Sequence, residues 1–186
     1  MILRGPPPPP PRHATLAAAL EASPRHPSGV TFVDLHEREE RIPWAQVVRR
    51  ARRAAAALAA RGVEPGDRVA IVLRTEPAFL DAFFGAWLAG AVPVPLYPPV
   101  RLGRMEEYAA GTARMIEVSG ACLVVSGGAA SRLLGQAVAQ ARPRLGWLAA
   151  ERLGAPEGPG AGRGASPDDT GRVQVPPGPT VAPKPG

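Results

Sequence analysis

The residue types that most often bind metals or carry out catalysis are few in this chain and lie far apart. Three histidines (His13, His26 and His36) and one cysteine (Cys122) are present, and their spacing is not that of metal ligands. The G-x-S-x-G pattern that presents a serine nucleophile does not occur. We therefore predict no catalytic residue and no metal site, and we interpret each histidine as a surface residue.

A glycine-rich stretch, GPGAGRG at residues 158–164, has the composition of a nucleotide-binding loop. Such a loop follows a strand and opens a helix, because the backbone N–H groups at the helix N-terminus then face the phosphates. No strand pattern precedes this stretch and no helix pattern follows it. We therefore reject a nucleotide loop here and interpret residues 154–164 as a flexible connector.

Three short apolar runs indicate where the folded part of the chain lies. They cover residues 69–73, 91–96 and 121–125, and each is bounded by Gly, Pro, Asp or Ser, which is typical of buried strands. Residues 77–89 and 104–119, between these runs, have the spacing of helices. The alternation of strand and helix predicts an α/β fold, with a mostly parallel sheet flanked by helices on both faces.

Prolines crowd the second of these runs. Pro93, Pro95, Pro98 and Pro99 occur within seven residues of one another. Because proline has no N–H to donate to a neighbouring strand, we predict that this strand is short or lies at an edge of the sheet. Tyr97 could contact a ligand in the loop that follows, but we prefer a packing role for it.

The helix predicted from residue 44 to about residue 61 carries an arginine cluster. Its apolar residues recur on one face, whereas Arg49, Arg50 and Arg53 lie on other faces, so we interpret the cluster as solvated. The flanking segments predict further elements: a helix over residues 15–22 with Thr15 as N-cap, a strand over 30–35, a hairpin tip or turn over 37–41, a turn at 127–128, a helix over 131–140 and a strand from about residue 147.

The composition is that of one folded domain with unusual ends. The 186 residues suffice for a single hydrophobic core, and 45% of them are hydrophobic. The 24 prolines and 21 glycines concentrate toward both ends and include the run at residues 6–11, for which we expect a hydrated polyproline II conformation. The formal charge of +6 is carried by arginines that do not alternate with aromatic residues, so we predict no nucleic-acid binding.

The sequence has no apolar run that would indicate a signal peptide or a membrane span. No apolar run approaches the roughly 20 residues of a membrane span, and the N-terminus has no apolar signal region. A single cysteine forms no internal disulfide, which fits a reducing compartment. We therefore predict no membrane span and a cytoplasmic location.

The organising stretch also resembles a known family. The segments GDRVAIVL (66–73), AFLDAFFGAWLAGAVPVPLYPP (78–99) and RLGRMEEYAAGTARMIEVSGACLVV (101–125) look like the N-terminal part of a fatty acyl-AMP ligase. This family belongs to the adenylate-forming superfamily of acyl-CoA synthetases, luciferases and peptide-synthetase adenylation domains. The resemblance runs from about residue 15 to the end of the chain and implies a partial N-terminal subdomain of an adenylate-forming ligase.

The same resemblance implies an ATP phosphate loop in the tail. Ligases of this superfamily bind phosphates with a loop rich in Ser, Thr and Gly that also contains a lysine. The tail PDDTGRVQVPPGPTVAPKPG, residues 167–186, aligns with the acyl-AMP ligase pattern without gaps. The resemblance thereby assigns Gly178, Thr180 and Lys184 to cofactor binding, with ATP and Mg²⁺ as the implied cofactors.

Three prolines depart from the family pattern in this loop. Pro176, Pro177 and Pro179 replace hydroxyl residues, and each removes a backbone donor, a side-chain donor and local flexibility. The resemblance implies activation of a fatty acid with ATP to acyl-adenylate and transfer of the acyl group to an acyl-carrier protein, as in polyketide synthesis. We expect this chain alone to lack most of the active site, to bind neither cofactor and to be inactive.

These expectations divide the chain into three parts and leave two alternatives open. We predict a Pro-rich disordered extension over residues 1–13, the ligase subdomain over 14–153 and a flexible tail with the degenerate phosphate loop over 154–186. One alternative is a fragment of a long-chain acyl-CoA ligase. The other is a non-catalytic remnant or interaction module that uses the proline run and the basic face.

Overall fold

The computed structural model describes residues 10–98, 105–154, 171, 173 and 174. In this part of the chain lie a two-stranded hairpin, a four-stranded sheet and five α-helices. The first helix, α1 (Leu16–Ala22), begins after Thr15, whose Oγ1 accepts the N–H of Ala18 at 3.0 Å. This bond satisfies one of the free donors at the helix start, and it confirms the predicted N-cap.

A β-hairpin follows α1 and consists of β1 (Gly29–Val33) and β2 (Glu39–Pro43), which pair antiparallel. The turn begins at Asp34, whose Oδ1 accepts two backbone N–H groups of the turn at 2.8 and 3.0 Å. Because this side chain closes the turn early, the chain is extended again from Glu39 onward. The predicted first strand is confirmed over residues 30–33 but ends before residues 34–35, and the predicted tip over residues 37–41 is wrong where it overlaps β2.

The long helix α2 (Trp44–Ala60) presents its predicted apolar face to the core. It ends before Gly62, whose φ of 95° is a left-handed conformation that glycine adopts without strain. The buried residues of α2 are Val47, Val48, Ala51, Ala54, Ala55, Ala57 and Leu58. Six of these seven are alanine or valine, whose short side chains let neighbouring elements approach the helix closely.

The parallel sheet contains β3 (Arg68–Val72), β4 (Val92–Pro95), β5 (Ala121–Ser126) and β6 (Gly146–Ala149). Their spatial order is β4-β3-β5-β6, and every neighbouring pair is parallel. The predicted strands and their parallel arrangement are therefore confirmed. Within the described residues β4 lies at one edge of the sheet, as its prolines predicted.

Helices cover both faces of this sheet. With α2, α3 (Pro77–Leu88) covers one face, and α4 (Met105–Ser119) with α5 (Gly128–Ala141) covers the other. Gly128 belongs to α5, so the turn predicted at residues 127–128 is shorter than expected. The strand side chains alternate between the two faces: Val69, Ile71, Leu123 and Val125 pack toward α2 and α3, whereas Ala70, Val72, Val94 and Val124 pack toward α4 and α5.

Candidate functional site

The three residues assigned to a phosphate loop, Gly178, Thr180 and Lys184, lie outside the described residues. The described residues closest to them in the chain are Gly171 and residues 173–174. These residues contact the folded domain, and their contacts establish where the tail meets the sheet.

The tail meets the domain at the outer edge of β4. The indole N–H of Trp87 donates a hydrogen bond to the carbonyl oxygen of Gly171. Two residues later, the N–H of Val173 donates to the carbonyl oxygen of Pro93 at 3.3 Å. The Val173 side chain is half-buried and packs against the apolar cluster that contains Val94. The segment that leads into the assigned residues is therefore attached to this edge by hydrogen bonds and by apolar packing.

The carboxyl end of β4 carries an exposed aromatic side chain. The side chain of Tyr97 is 60% exposed, so the packing role predicted for it is wrong. Its carbonyl oxygen accepts a hydrogen bond from the hydroxyl of Tyr108 at 2.8 Å, which ties the loop after β4 to α4. Burial raises the pKa of the Tyr108 hydroxyl, so Tyr108 is a neutral donor at physiological pH. Tyr97 is thus held by its backbone while its ring remains accessible.

A cleft of about 360 Å³ opens at the carboxyl ends of β3 and β5. The connections from these two strands run in opposite directions along the sheet, and open α/β sheets bind ligands at such points. The cleft is lined by charged side chains of both signs. The residues that line it are Gln46, Arg50, Arg53, Glu76, Ala78, Asp81, Gly127, Ala150, Glu151, Leu153 and Gly154.

One of these arginines corrects a prediction. Arg50 forms a bidentate ion pair with Asp81, with Nε–Oδ1 at 2.9 Å and a second guanidinium nitrogen 2.7 Å from Oδ2. The two side chains are only 26% and 16% exposed, so Arg50 joins α2 to α3 and is not part of a solvated face. The prediction is confirmed for Arg49 and Arg53, whose side chains are exposed. An acidic partner 31 residues away along the chain leaves no local pattern that could have identified this pair.

The side chains usually associated with catalysis are not arranged for it. Cys122 is buried, and burial, with the nearby carboxylate of Asp67, raises the pKa of its thiol to about 11. A thiol that stays protonated at neutral pH is a poor nucleophile. Ser28 Oγ lies 2.7 Å from His26 Nδ1 and also accepts the indole N–H of Trp44 at 3.2 Å. We interpret this contact as an anchor for the start of β1.

The part of the chain that the structure describes contains neither a metal-ligand cluster nor a membrane-spanning helix. There, no group of three or more His, Cys, Asp and Glu side chains is placed to hold a metal ion. The described helices are all too short or too polar to span a bilayer.

Comparison with known proteins identifies one matching family and several similar proteins. The sequence profile of the family described as AMP-binding enzyme matches residues 20–177. A long-chain-fatty-acid–AMP ligase of Mycolicibacterium smegmatis is 40% identical over 78 residues, which are 40% of this chain and 12% of that protein. A salicyl-AMP ligase/salicyl-S-ArCP synthetase of Mycobacterium tuberculosis is 36% identical over 95 residues, 50% of this chain and 17% of that protein. The chain thus spans under a fifth of the length of these relatives.

A solved structure agrees with these sequence relatives. The structure described in a study of fatty acyl-adenylate ligases from E. coli and L. pneumophila superposes with a TM-score of 0.80 at 26% sequence identity. The match covers 87% of this chain and 29% of that one. The order of helices and strands reported above is therefore shared with a much longer chain.

Proposed function

This chain belongs to the AMP-binding enzyme family, and from that premise we propose that it is the N-terminal part of a fatty acyl-AMP ligase. The family is ATP-dependent. In the proposed reaction a fatty-acid carboxylate attacks the α-phosphorus of ATP, an oxygen–phosphorus bond forms, and pyrophosphate leaves. The acyl group of the resulting acyl-adenylate then passes to an acyl-carrier protein.

One observation carries this proposal. A sequence relative is named a long-chain-fatty-acid–AMP ligase, and a structural neighbour comes from a study of fatty acyl-adenylate ligases. The residues around β3, β4 and β5 resemble the same family. Further support comes from the tail, because the contacts of Gly171 and Val173 with the domain lie just before the residues assigned to the phosphate loop.

The donor set of the tail fits a triphosphate poorly. Gly178, Thr180 and Lys184 would supply a backbone N–H, a hydroxyl and an ammonium group. Pro176, Pro177 and Pro179 have neither a backbone N–H nor a side-chain donor. We therefore propose that this chain alone binds ATP and Mg²⁺ weakly or not at all and acts as scaffold, and we derive no catalytic step from these residues.

The inactivity of the isolated chain is tested by trapping the acyl-adenylate. The purified chain is incubated with a long-chain fatty acid, ATP, Mg²⁺ and hydroxylamine, which converts acyl-adenylate into a hydroxamate. We expect no hydroxamate above a blank without protein. Formation of hydroxamate that depends on both ATP and fatty acid would show that the prolines do not disable the loop.

The assignment to fatty-acid activation is tested by transplantation. Two chimeras are built on the Mycolicibacterium ligase, in which residues 20–174 or 20–186 of this chain replace the corresponding segment. We expect the first chimera, which keeps the relative's own loop, to release pyrophosphate in a fatty-acid-dependent reaction. The second should lose most of that activity, because it carries Pro176, Pro177 and Pro179. A folded first chimera without adenylation activity would contradict the proposed function.

The acceptor of the acyl group separates the proposal from the nearest alternative. An active first chimera is supplied with either a phosphopantetheinylated acyl-carrier protein or free coenzyme A. We expect acylation of the carrier, and preferential formation of acyl-CoA would favour a long-chain acyl-CoA ligase.

We also propose that the chain divides after residues 13 and 153, so that the ligase subdomain covers residues 14–153.

A further inference from the structure

The outer edge of β4 has an unusual set of polar groups. Val92 and Leu96 donate their N–H groups toward β3, to the carbonyl oxygens of Asp67 and Ile71 at 2.7 and 2.8 Å. Because successive residues of a strand point their polar groups to opposite sides, Pro93 and Pro95 face outward. Neither proline has an N–H, so at these two positions the outer edge offers carbonyl acceptors and no donor.

An edge of this kind selects what can pair with it. An ordinary strand added to a sheet edge exchanges donors and acceptors with its neighbour, and exposed edges of that kind favour unwanted association. At Pro93 and Pro95 an added segment can only donate. Val173 does so, because its N–H bonds to the carbonyl oxygen of Pro93. At Pro93 the edge therefore binds the tail through the N–H group of Val173.

Trp87 supplies the donor that the prolines lack. Its indole N–H bonds to the carbonyl oxygen of Gly171, so the docked segment donates at one residue and accepts at another. The indole is oriented by ring contacts within α3: its centroid lies 4.7 Å from that of Phe83 and 5.6 Å from that of Phe84. A donor whose direction is fixed by its neighbours specifies the position of its acceptor.

The two hydrogen bonds and one side chain together define a register. A shift of one residue along β4 would turn the half-buried Val173 side chain from the apolar cluster to solvent, because side chains alternate between the faces of a strand. The same shift would remove the acceptor that Gly171 presents to Trp87. Register is therefore set by Trp87 and Val173 acting together.

We propose that Trp87 is a positioning residue that, together with Val173, fixes the register in which Gly171 and residues 173–174 dock on the proline-bearing edge of β4. The proposal deepens the proposed function, on which its importance for catalysis rests, because the docked segment leads directly into the residues assigned to the phosphate loop. Trp87 acts through the backbone of Gly171 and touches no substrate.

The proposal is tested by hydrogen exchange in the full 186-residue chain. In Trp87→Phe the ring contacts are retained and the indole N–H is lost. We expect the amide of Val173 to exchange roughly three- to tenfold faster, as the loss of one hydrogen bond implies. Amides of β3 and β5 should be unchanged.

A reciprocal variant gives a readout that a purely structural role of the tryptophan would not produce. Val173→Pro removes the N–H that bonds to Pro93, and we expect faster exchange of the Trp87 indole N–H, observed as a separate NMR resonance. The indole resonances of Trp44 and Trp147, which bond to Ser28 and Ser126, should not change. This variant also serves if Trp87→Phe fails to fold.

Matched controls and a separate titration complete the design. A Cβ at Gly171 meets no atom within 4 Å, so Gly171→Ala keeps the carbonyl and should leave both exchange rates unchanged. Unprotected exchange at Val173 in the native chain, or no response to either variant, would overturn the proposal. ATP binding to the native chain is titrated separately from these exchange measurements. If the tail docks as expected but the first chimera is inactive, the result contradicts the proposed function and leaves the docking of the tail intact.

Discussion

The two faces of the parallel sheet are both covered by a pair of helices, but the two pairs pack in different ways. On one face Gly85 of α3 lies directly against α2, where a Cβ at that position would come within 2.6 Å of the Cβ of Ala54. On the other face α4 and α5 meet through Ala109, Ala113 and Ala137, and the helix glycines Gly111 and Gly135 point into open space. The same residue type therefore permits close approach on one face and merely weakens a helix on the other.

The largest expected difference between the faces follows from these glycines. In Gly85→Ala the new methyl group overlaps Ala54, and the helices must separate, so we expect the free energy of unfolding to fall by about 2–3 kcal/mol. In Gly135→Ala the methyl group meets nothing, and the gain in helix propensity should raise the free energy of unfolding by about 0.5–1 kcal/mol. Urea unfolding followed by circular dichroism measures both values.

Opposite signs for the two substitutions are the essential result. If Gly85→Ala were as stable as the native chain, the close contact between α2 and α3 would not exist in solution. If Gly135→Ala were destabilising, α5 would have a neighbour at that position.

Local patterns in the sequence predicted most of the scaffold. The apolar face of α2, the cap at Thr15 and the edge position of β4 each depend on residues within one element, where periodicity and proline chemistry act directly. No local pattern indicates the role of Gly85, because that role depends on Ala54, 31 residues earlier in the chain. The contact of Trp87 with Gly171 spans 84 residues and joins two segments whose own patterns reveal no partner.

The site was predicted less completely for the same reason. The assignment of Gly178, Thr180 and Lys184 came from a resemblance, and these residues lie outside the described ones, so it stays a prediction. The misassignments of Arg50 and Tyr97 show the limit of helical and strand periodicity. Periodicity indicates which side of an element a residue lies on, but not whether a distant carboxylate or solvent meets it there.

The second expected effect concerns the ion pair that joins α2 to α3. In Asp81→Asn the shape of the side chain is kept while the half-buried Arg50 loses its charged partner, so we expect a loss of about 1–2 kcal/mol in the free energy of unfolding. The control is Glu21→Gln, which removes the partner of Arg52 from a pair whose side chains are 51% and 61% exposed. Exposed pairs contribute less than about 1 kcal/mol, and this one should be near zero.

Salt separates these two pairs further. Exposed charges are screened by salt more than half-buried ones, so high sodium chloride should leave most of the cost of Asp81→Asn in place, while the cost of Glu21→Gln stays near zero at low and at high salt. Equal costs for the two substitutions at every salt concentration would mean that Arg50 is as solvated in solution as the sequence first suggested.

The third effect belongs to the opposite face. Ser126 is fully buried at the end of β5, and its Oγ accepts the indole N–H of Trp147 at 2.6 Å. Ser126→Ala leaves that N–H without its acceptor, and we expect a cost of about 1 kcal/mol. In a Trp147→Phe background the same substitution should cost clearly less, because no donor is left unpaired. Equal costs in the two backgrounds would show that the hydrogen bond contributes nothing to stability.

The smallest effect appears only at high pH and concerns Cys122, which packs on the face covered by α2 and α3. Its pKa in the folded chain is about 11, raised from an ordinary value of 9.0 by burial and then by Asp67. The thiol of the unfolded chain therefore ionises first, the unfolded state binds fewer protons above pH 9, and stability falls as the pH rises from about 9 to about 11. At or below pH 8 the shift has no effect on stability.

We expect the stability difference between the native chain and Cys122→Ala to be constant up to pH 8 and to shrink above pH 9, with a limiting slope of about 1.4 kcal/mol per pH unit. Urea unfolding of both proteins at pH 7, 8, 9, 10 and 10.5 measures this difference and cancels the titration of the other groups, which the two proteins share. A difference that stays constant through pH 10.5 would mean that water reaches Cys122 and that this face is less tightly closed than its glycine and alanine contacts indicate.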